Sequence, residues 1–438
     1  MAGESERFAT QHPRSAAAWR RARRSLPGGV PMLWMTKWAS PFPPFVERAS
    51  GAHFWCLDGH DYVDFCLGDT GAMTGHGPAA TLAALERQLP NGITHMLPTE
   101  DAAAAGEALR GRFGLPFWQF TLSATDANRH AIRLARQITG RPLILVHNGC
   151  YHGSVDETFA SLDDGAVVPR RGNLGPPVDP AETTRVVEIN DVDALERALR
   201  DERVAAVLIE PALTNIGIVL PDPGYLDAVR RLTQETGTLL IIDETHTLCA
   251  GPGGYTREHS LKPDFLVVGK AIGGGIPVGA YGFTADVARL IHENTELEDV
   301  DVGGVGGTLA GYALGMAAIH ATLAEVLTEK AHARMVPLAE RWAAGVEDAL
   351  AERDVPWHVT RLGCRAEYHF LKEAPRNGGE AAAAADFELE RFLHLFALNR
   401  QVLLTPFHNM ALMSPVTTEA DVDAHTAMFR DALTQLFG

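Results

Sequence analysis

Residues 239–246 read LLIIDETH, and residues 265–275 read FLVVGKAIGGG. Each stretch begins with a short, uninterrupted apolar run and passes directly into polar or glycine residues. Such runs are typical of strands that are buried on both faces of a parallel sheet. Asp243 follows the first run and Lys270 follows the second. Because ligands of open α/β sheets bind at the carboxyl ends of the strands, we expect both residues at a ligand-binding edge.

Similar apolar runs recur along the chain, and helical patterns lie between several of them. In residues 126–139, for example, the apolar side chains recur at helical spacing. Alternating buried strands and helices predict an α/β layer with a largely parallel sheet. The predicted parallel strands are 143–146, 205–209, 239–242, 265–268 and 279–283, and the helices between them are 126–139, 192–200 and 225–236.

The patterns divide the chain into three parts. Residues 1–75 form an N-terminal segment with a short basic helix, an aromatic-rich loop and a small meander of strands. Residues 76–318 carry the strand–helix alternation and form the large domain. Residues 319–438 mix helices with a few strands, which predicts a smaller α+β C-terminal domain.

The composition narrows the class of protein. The 438 residues carry a formal charge of −17, and 46% of them are hydrophobic. This hydrophobic share excludes a disordered chain, and the acidic balance argues against a general binder of nucleic acid or of an anionic membrane. The first residues lack the apolar core of a secretory signal, and no run reaches the roughly 18 apolar residues of a membrane-spanning helix. We therefore expect a cytoplasmic protein.

The cysteines support this expectation. There are five, and none of them forms a CxxC pair. A disulfide framework or a structural zinc site is therefore not expected, and we predict buried free thiols and no metal site. The five are Cys56, Cys66, Cys150, Cys249 and Cys364.

The pair of Asp243 and Lys270 suits pyridoxal phosphate. A lysine amine can form a Schiff base with this cofactor. A carboxylate can keep the pyridine nitrogen protonated, so that the ring accepts electrons. The alternative is that the two residues are unrelated charges at strand ends, and the pair alone does not decide between these interpretations.

Three further motifs favour the cofactor. Ser123-Ala124-Thr125-Asp126 precedes a predicted helix, whose start would suit a phosphate. Tyr151 follows a predicted strand and could stack on a flat ring, and Thr308 follows two glycines and could contact a phosphate. Taken singly, the first motif could be a plain helix cap, and Tyr151 could be a surface residue of a turn.

With these residues together, the chain resembles the class III pyridoxal-phosphate-dependent aminotransferases of fold type I, and within them the glutamate-1-semialdehyde aminomutase-like group. The resemblance extends from Pro27-Gly28-Gly29 to Pro415, and the spacing from Asp243 to Lys270 is similar to that of the family. It implies a homodimer with shared active sites. The resemblance assigns the Schiff base and proton transfer to Lys270, the pyridine nitrogen to Asp243, the phosphate to Ser123, Ala124 and Thr125, the ring faces to Tyr151 and Thr245, the phenolic oxygen to His246, a strand end near the cofactor to Glu210, and a phosphate contact from the partner subunit to Thr308.

The chain departs from the family in ways that concern the substrate. The usual Ser-Gly-Thr-Glu-Ala motif is here 123–127, SATDA, and the usual Asp-Glu-Val is 243–245, DET. Relatives that bind amino acids often clamp the carboxylate with an arginine, but neither 32–38 nor 405–409 contains one. The remaining substrate candidates are Lys37, Trp38, Arg365 and His408, each with a structural or surface role as the alternative.

The sequence predicts an aminotransferase that moves an amino group between an amine or amino acid and an oxo acceptor. An ammonia-lyase or aminomutase is the alternative, acting on an amino substrate that could bear a phosphonate or hydroxyl group. A non-catalytic binding protein is a third possibility, and the intact Lys270 argues against it because a binding module does not need that amine.

Overall fold

The structure, a computed structural model, describes residues 1–295 and 303–438. Its strands are β1 (Val46–Ser50), β2 (His53–Cys56), β3 (Asp61–Asp64), β4 (Phe117–Thr121), β5 (Leu143–His147), β6 (Ala160–Asp163), β7 (Ala166–Pro169), β8 (Thr184–Val187), β9 (Val204–Ile209), β10 (Leu239–Asp243), β11 (Phe265–Gly269), β12 (Gly279–Phe283), β13 (His358–Leu362), β14 (Arg365–His369), β15 (Val402–Leu403) and β16 (Met410–Leu412). Its α-helices are α1 (Ala2–Gln11), α2 (Pro13–Ala22), α3 (Ala79–Gln88), α4 (Glu100–Phe113), α5 (Ala124–Thr139), α6 (Pro180–Thr183), α7 (Val192–Leu199), α8 (Tyr225–Thr236), α9 (Gly254–Glu258), α10 (Ala285–Asn294), α11 (Ala313–Ala321), α12 (Glu329–Ala351), α13 (Gly378–Ala383), α14 (Phe387–Leu398) and α15 (Glu419–Phe437).

The chain forms two compact units. Unit 1 contains residues 1–78, 333–374 and 384–438, and unit 2 contains residues 79–332 and 375–383. The N-terminal meander shares unit 1 with C-terminal residues because β15 joins its sheet, in parallel with β3. The three-part division at residues 75 and 318 stays a prediction.

Unit 2 is built on a seven-stranded sheet of order β4-β12-β11-β10-β9-β5-β8. The five strands from β11 to β8 are parallel to one another. Every residue of β5, β9 and β11 is buried, so the middle of the sheet is the core of the unit. The predicted α/β fold with a mostly parallel sheet is confirmed.

The expectation that 279–283 is a parallel strand is wrong. The strand β12 pairs antiparallel with both β11 and β4. Residues 270–278 alone connect β11 to β12, which is shorter than the dozen or so residues of a parallel crossover. Its apolar run reflects burial on both faces, which an antiparallel strand inside a sheet can share.

The helix that matters for the site is α5. Ser123 caps its start, since its hydroxyl accepts a hydrogen bond from the backbone N–H of Asp126 at 3.3 Å. Gly140 ends it in the left-handed conformation. Apolar residues such as Ala127, Ala131 and Ala135 are buried in the core of unit 2, and this fixes the start of α5 within the unit.

Unit 1 contains a second, antiparallel sheet of order β13-β14-β16. Trp342 of α12 is fully buried, and its ring stacks on Tyr368 of β14 with the centroids 6.2 Å apart. A capping box between Thr418 and Asp421 starts α15. Among the described residues, no helix has both the length and the apolar character needed to cross a membrane.

Candidate active site

Asp243 and Lys270 lie at the carboxyl ends of neighbouring parallel strands. Asp243 is the last residue of β10 and pairs with Val267 of β11, and Lys270 directly follows β11. The backbone of Lys270 has φ +49°, in the left-handed region that side chains other than glycine rarely adopt. Residues held in such conformations cluster at functional sites, so the backbone of Lys270 indicates a functional role for this strand end.

The amine of Lys270 contacts an imidazole. Its Nζ is 2.6 Å from Nε2 of His246, which lies three residues after the end of β10. The two strand ends therefore hold a lysine and a histidine in direct hydrogen-bond contact.

Asp243 is buried among hydrogen-bond donors. Its Oδ2 is 2.9 Å from Nδ1 of His152 and accepts a hydrogen bond from the Asn128 amide at 2.8 Å, and its Oδ1 accepts one from the Thr245 N–H at 3.0 Å. Burial alone would raise the pKa of Asp243, but its partners, led by His152, hold that pKa below the ordinary value. The hydrogen-bond partners of Asp243 thus favour its charged form.

His152 is the counter-ion of this carboxylate. It is fully buried, and the two side chains form an ion pair. Burial disfavours the imidazolium, but the Cys150 thiol and Asp243 together raise the pKa of His152 above its ordinary value. The pair therefore fixes the position and the charge of the Asp243 side chain.

The start of α5 adjoins these strand ends. A Cβ on Gly269 would lie 2.9 Å from Cβ of Ala124 and 3.1 Å from its backbone nitrogen, so glycine is needed for this approach. Gly153 has φ +78°, and a Cβ at this position would come even closer to Thr125. The N–H of the next residue, Ser154, donates to Oγ1 of Thr125 at 3.2 Å. The helix start, whose first N–H groups lack helical partners, thus has the character of an anion site.

Tyr151 and Glu210 are joined through the backbone. The N–H of Tyr151, just after β5, donates to Oε1 of Glu210 at 3.0 Å, and the Thr214 hydroxyl donates to Oε2 at 2.5 Å. Burial raises the pKa of Glu210. The Tyr151 side chain is 38% exposed, so its ring has an accessible face.

Two predicted threonines behave differently. Thr245 is buried, and its Oγ1 has no hydrogen-bond partner in the part of the chain that the structure describes. An unpaired buried hydroxyl is uncommon in folded proteins and needs an explanation, such as a missing ligand. Thr308 is exposed and makes no hydrogen bond within residues 1–295 and 303–438 to the site residues above.

The four substrate candidates lie in unit 1. Lys37 is exposed, and Trp38 is half-buried, with its ring 6.0 Å from that of Trp34. Arg365 is 1% exposed and donates to the Thr70 hydroxyl at 2.5 Å. His408 forms an ion pair with the buried Glu367 at 3.4 Å. Arg365 and His408 are thus bound by groups of unit 1 itself.

Sequence reasoning missed two residues of the site, His152 and Asn128. Both bind Asp243, which is distant from them in sequence. Asn128 is a polar residue on the buried face of α5, and this signal could have been read from the helical spacing. His152 directly follows Tyr151, but nothing local connects it to β10.

All five cysteines are buried free thiols, as predicted. Among the described residues, no group of three His, Cys, Asp or Glu side chains is arranged to hold a metal ion.

Known proteins resemble this chain over almost its whole length. The family model for class-III aminotransferases matches residues 34–433. A glutamate-1-semialdehyde 2,1-aminomutase from Chloroflexus aggregans is 34% identical over 439 residues, which cover 97% of this chain and 99% of the relative.

Solved structures show the same likeness. A lysine-to-alanine variant of a glutamate-1-semialdehyde aminomutase from Pseudomonas aeruginosa PAO1, in complex with PMP, is 50% identical with a TM-score of 0.97, and the match covers 99% of this chain and 97% of that one. An omega-transaminase from Sphaerobacter thermophilus is 32% identical with a TM-score of 0.86, and the match covers 97% and 98% of the two chains. The predicted fold type I architecture and the predicted cofactor class, pyridoxal phosphate, are confirmed, and the chain belongs to the class-III aminotransferase family.

Proposed function

We propose that this enzyme is an aminotransferase that moves an amino group between a small amine or amino acid and an oxo acceptor, with Lys270 as the covalent attachment point of pyridoxal phosphate. The observation that carries the proposal is the pairing of Asp243 and Lys270 at the ends of two neighbouring strands. A charged carboxylate and an amine at this edge are the two groups that this cofactor requires.

The described residues fit the cofactor. The start of α5, with Ser123, Ala124 and Thr125, would hold the phosphate, and the glycines beside it leave room that a Cβ would fill. Asp243 would face the pyridine nitrogen and His246 the phenolic oxygen. Residues at the two ring faces and near the ring would be Tyr151, Thr245 and Glu210. The unpaired Oγ1 of Thr245 supports this assignment, because a buried hydroxyl is expected to have a partner.

When bound, pyridoxal phosphate supplies an electron sink for the negative charge that forms on the substrate carbon. Lys270 would hold the cofactor through Nζ, and once a substrate amine has taken its place, the free lysine amine would take a proton from the substrate carbon and deliver it to the cofactor carbon. Asp243 keeps its negative charge throughout, since His152, Asn128 and the Thr245 N–H hold it ionised. The buried carboxylate thereby favours a protonated ring nitrogen.

We also propose that the enzyme is a homodimer in which Thr308 of one subunit reaches the phosphate of the other. An exposed apolar patch supports this interface: Ile93, Met96 and Leu97 are 47%, 75% and 72% exposed, and Leu309 is 48% exposed. The Leu314 N–H donates to the Ile93 carbonyl at 3.5 Å, which links the segment after Thr308 to this patch. Contiguous exposed apolar surface marks interaction sites. A Met96→Asp variant that sediments as a monomer and binds the cofactor weakly is the expected result.

The candidates for the substrate side remain Lys37, Trp38, Arg365 and His408, and we propose that the protein acts in the cytoplasm. Five buried free thiols support a reducing compartment.

An aminomutase is the second candidate function. Both the Chloroflexus relative and the Pseudomonas structure carry that name, and the latter is 50% identical. A mutase moves the amino group within one molecule and therefore needs no second oxo substrate.

One screen separates these functions. The purified enzyme, loaded with pyridoxal phosphate, is mixed with amines and amino acids while the cofactor absorbance and free ammonia are followed. Turnover that strictly depends on an added oxo acid supports the aminotransferase. Turnover of one substrate without acceptor and without ammonia favours the mutase, and ammonia release favours a lyase. Failure of the protein to take up any cofactor would contradict the proposal as a whole.

A further inference from the structure

The hydrogen bond between Lys270 and His246 has a defined donor and acceptor when Lys270 is protonated. Nζ and Nε2 are 2.6 Å apart. An ammonium group has only donors, so the imidazole nitrogen must accept when Lys270 is protonated. The contact is built into the ends of β10 and β11, because each residue follows one of these paired strands closely.

The carboxylates near these strand ends have hydrogen-bond donors of their own. Asp243 binds His152, Asn128 and the Thr245 N–H. Glu244 accepts hydrogen bonds from Thr247, Tyr255 and Thr256. Glu210 accepts hydrogen bonds from Thr214 and Tyr151, and Asp126 accepts one from Ser123. The imidazole nitrogen of His246 lies within hydrogen-bond distance of Nζ.

We propose that His246 is a positioning residue for Lys270: its Nε2 accepts a hydrogen bond from the ammonium that Lys270 becomes on taking the substrate proton. With the cofactor bound, the substrate C–H bond would break as an N–H bond forms at Nζ, and that N–H bond would break again when the proton is delivered to the cofactor carbon. His246 gains no proton, but it stabilises the protonated lysine and holds it in place between the two transfers. This inference rests on the proposed function, which gives Lys270 the proton transfer.

The proposal predicts a sensitivity to acid. A protonated His246 has no acceptor atom and repels the ammonium, so proton transfer fails as the imidazole becomes protonated. Glutamine keeps an acceptor oxygen but does not titrate, whereas leucine has neither property. The two substitutions therefore separate acceptance from titration.

The test compares His246→Gln and His246→Leu with wild type in the cofactor-loaded enzyme. His147→Gln is the matched control, since His147 is buried in the same unit and bonded to the Tyr225 hydroxyl at 2.7 Å. Hydrogen bonds to charged groups contribute about 1.5–3 kcal/mol, so kcat of His246→Leu should fall about 10- to 100-fold. With the cofactor at saturation, KM should stay unchanged, and His246→Gln should keep most of the rate and lose the acid limb of the pH profile.

A second readout needs no turnover. The absorbance of the bound cofactor, followed against pH without substrate, should show an acid-side transition in wild type and in the His147→Gln control that is absent from His246→Gln. An undiminished kcat in His246→Leu, or an acid limb and transition unchanged in His246→Gln, overturns the proposal. A loss of cofactor affinity in His246→Leu whose kcat at saturating pyridoxal phosphate equals that of wild type also overturns it, because His246 would then only hold the cofactor. A wild-type protein that takes up no pyridoxal phosphate would instead contradict the proposed function.

Discussion

The charged residues at the strand ends of unit 2 have different kinds of partners from Arg365 and His408 in unit 1. In unit 2, Lys270 contacts another basic group, and the partners of Asp243 hold it charged. In unit 1, Arg365 is bound to Thr70, and His408 is paired with Glu367. The first region brings together groups that can take part in proton transfer, and the second binds Arg365 and His408 to side chains of its own unit.

This difference separates chemistry from specificity. Asp243 and Lys270 lie at strand ends, so their positions depend on the sheet and, for Asp243, also on the ion pair with His152. Arg365 and His408 depend on partners in unit 1, Thr70 and Glu367, and the carboxylate of Glu367 offsets the charge of a protonated His408. We therefore expect substitutions of Asp243 and Lys270 to change rate and those at Arg365 to change stability.

The largest effect is expected for Lys270→Ala. Loss of the attachment point and of the proton-transfer group should reduce amino-group transfer by at least about 10³-fold. Lys262→Ala, at an exposed lysine of the same unit, is the control and should keep wild-type rates. Near-normal turnover in Lys270→Ala, measured with any substrate that the screen identifies, would refute the assignment.

Asp243→Asn should reduce the rate by about 10²–10³-fold, since a neutral amide cannot supply the buried negative charge. Asp264→Asn is the matched control. Asp264 binds Arg230 at 2.7 Å and precedes β11, at the other end of that strand from Lys270. The control should lose stability in urea but keep its rate per folded molecule. Equal rate loss in both variants would mean that Asp243 acts only through folding.

Arg365→Met should lower the free energy of unfolding by about 2 kcal/mol, because it removes a buried hydrogen bond to a charged group and leaves the Thr70 hydroxyl unpaired. Arg361→Met is the control on the adjacent strand. Arg361 forms an exposed pair with Glu340 at 3.6 Å, and its loss should change stability by less than about 1 kcal/mol. Urea unfolding measures both. Unchanged stability of Arg365→Met, with a raised KM, would instead make Arg365 a substrate ligand.

The smallest expected effect concerns pH. Burial opposes both charges, but the ion pair raises the pKa of His408 above 6.5 and lowers the pKa of Glu367 below 4.5. The contribution of His408 to the free energy of unfolding is complete below pH 6.5 and is lost as the pH rises through the pKa of His408 in the folded protein. The contribution of Glu367 is complete above pH 4.5 and is lost as the pH falls through the pKa of Glu367 in the folded protein.

His408→Gln should therefore destabilise the protein by about 1 kcal/mol between those limits, and by less on either side. Urea unfolding of wild type and variant across this pH range tests the prediction, with His358→Gln as the control. A destabilisation that does not vary with pH would show that packing, and not the ion pair, is responsible.

Local sequence predicted the parts of the molecule that depend on neighbouring residues. The buried strands, the cap of α5 and the strand-end positions of Asp243 and Lys270 all follow from runs of a few residues. The direction of β12 did not, because a buried apolar run looks the same in either orientation. The partnerships of His152 with Asp243 and of Arg365 with Thr70 join residues far apart in sequence, and no local pattern encodes them.

The central claim is that Lys270, among the five lysines of the chain, carries the cofactor. Reduction of the pyridoxal-phosphate-loaded protein with borohydride, followed by peptide mass mapping, tests it directly. The account predicts one stable adduct, located on Lys270 and absent from Lys270→Ala. An adduct on Lys37, Lys262, Lys330 or Lys372 instead, or no adduct in the wild type, would contradict it.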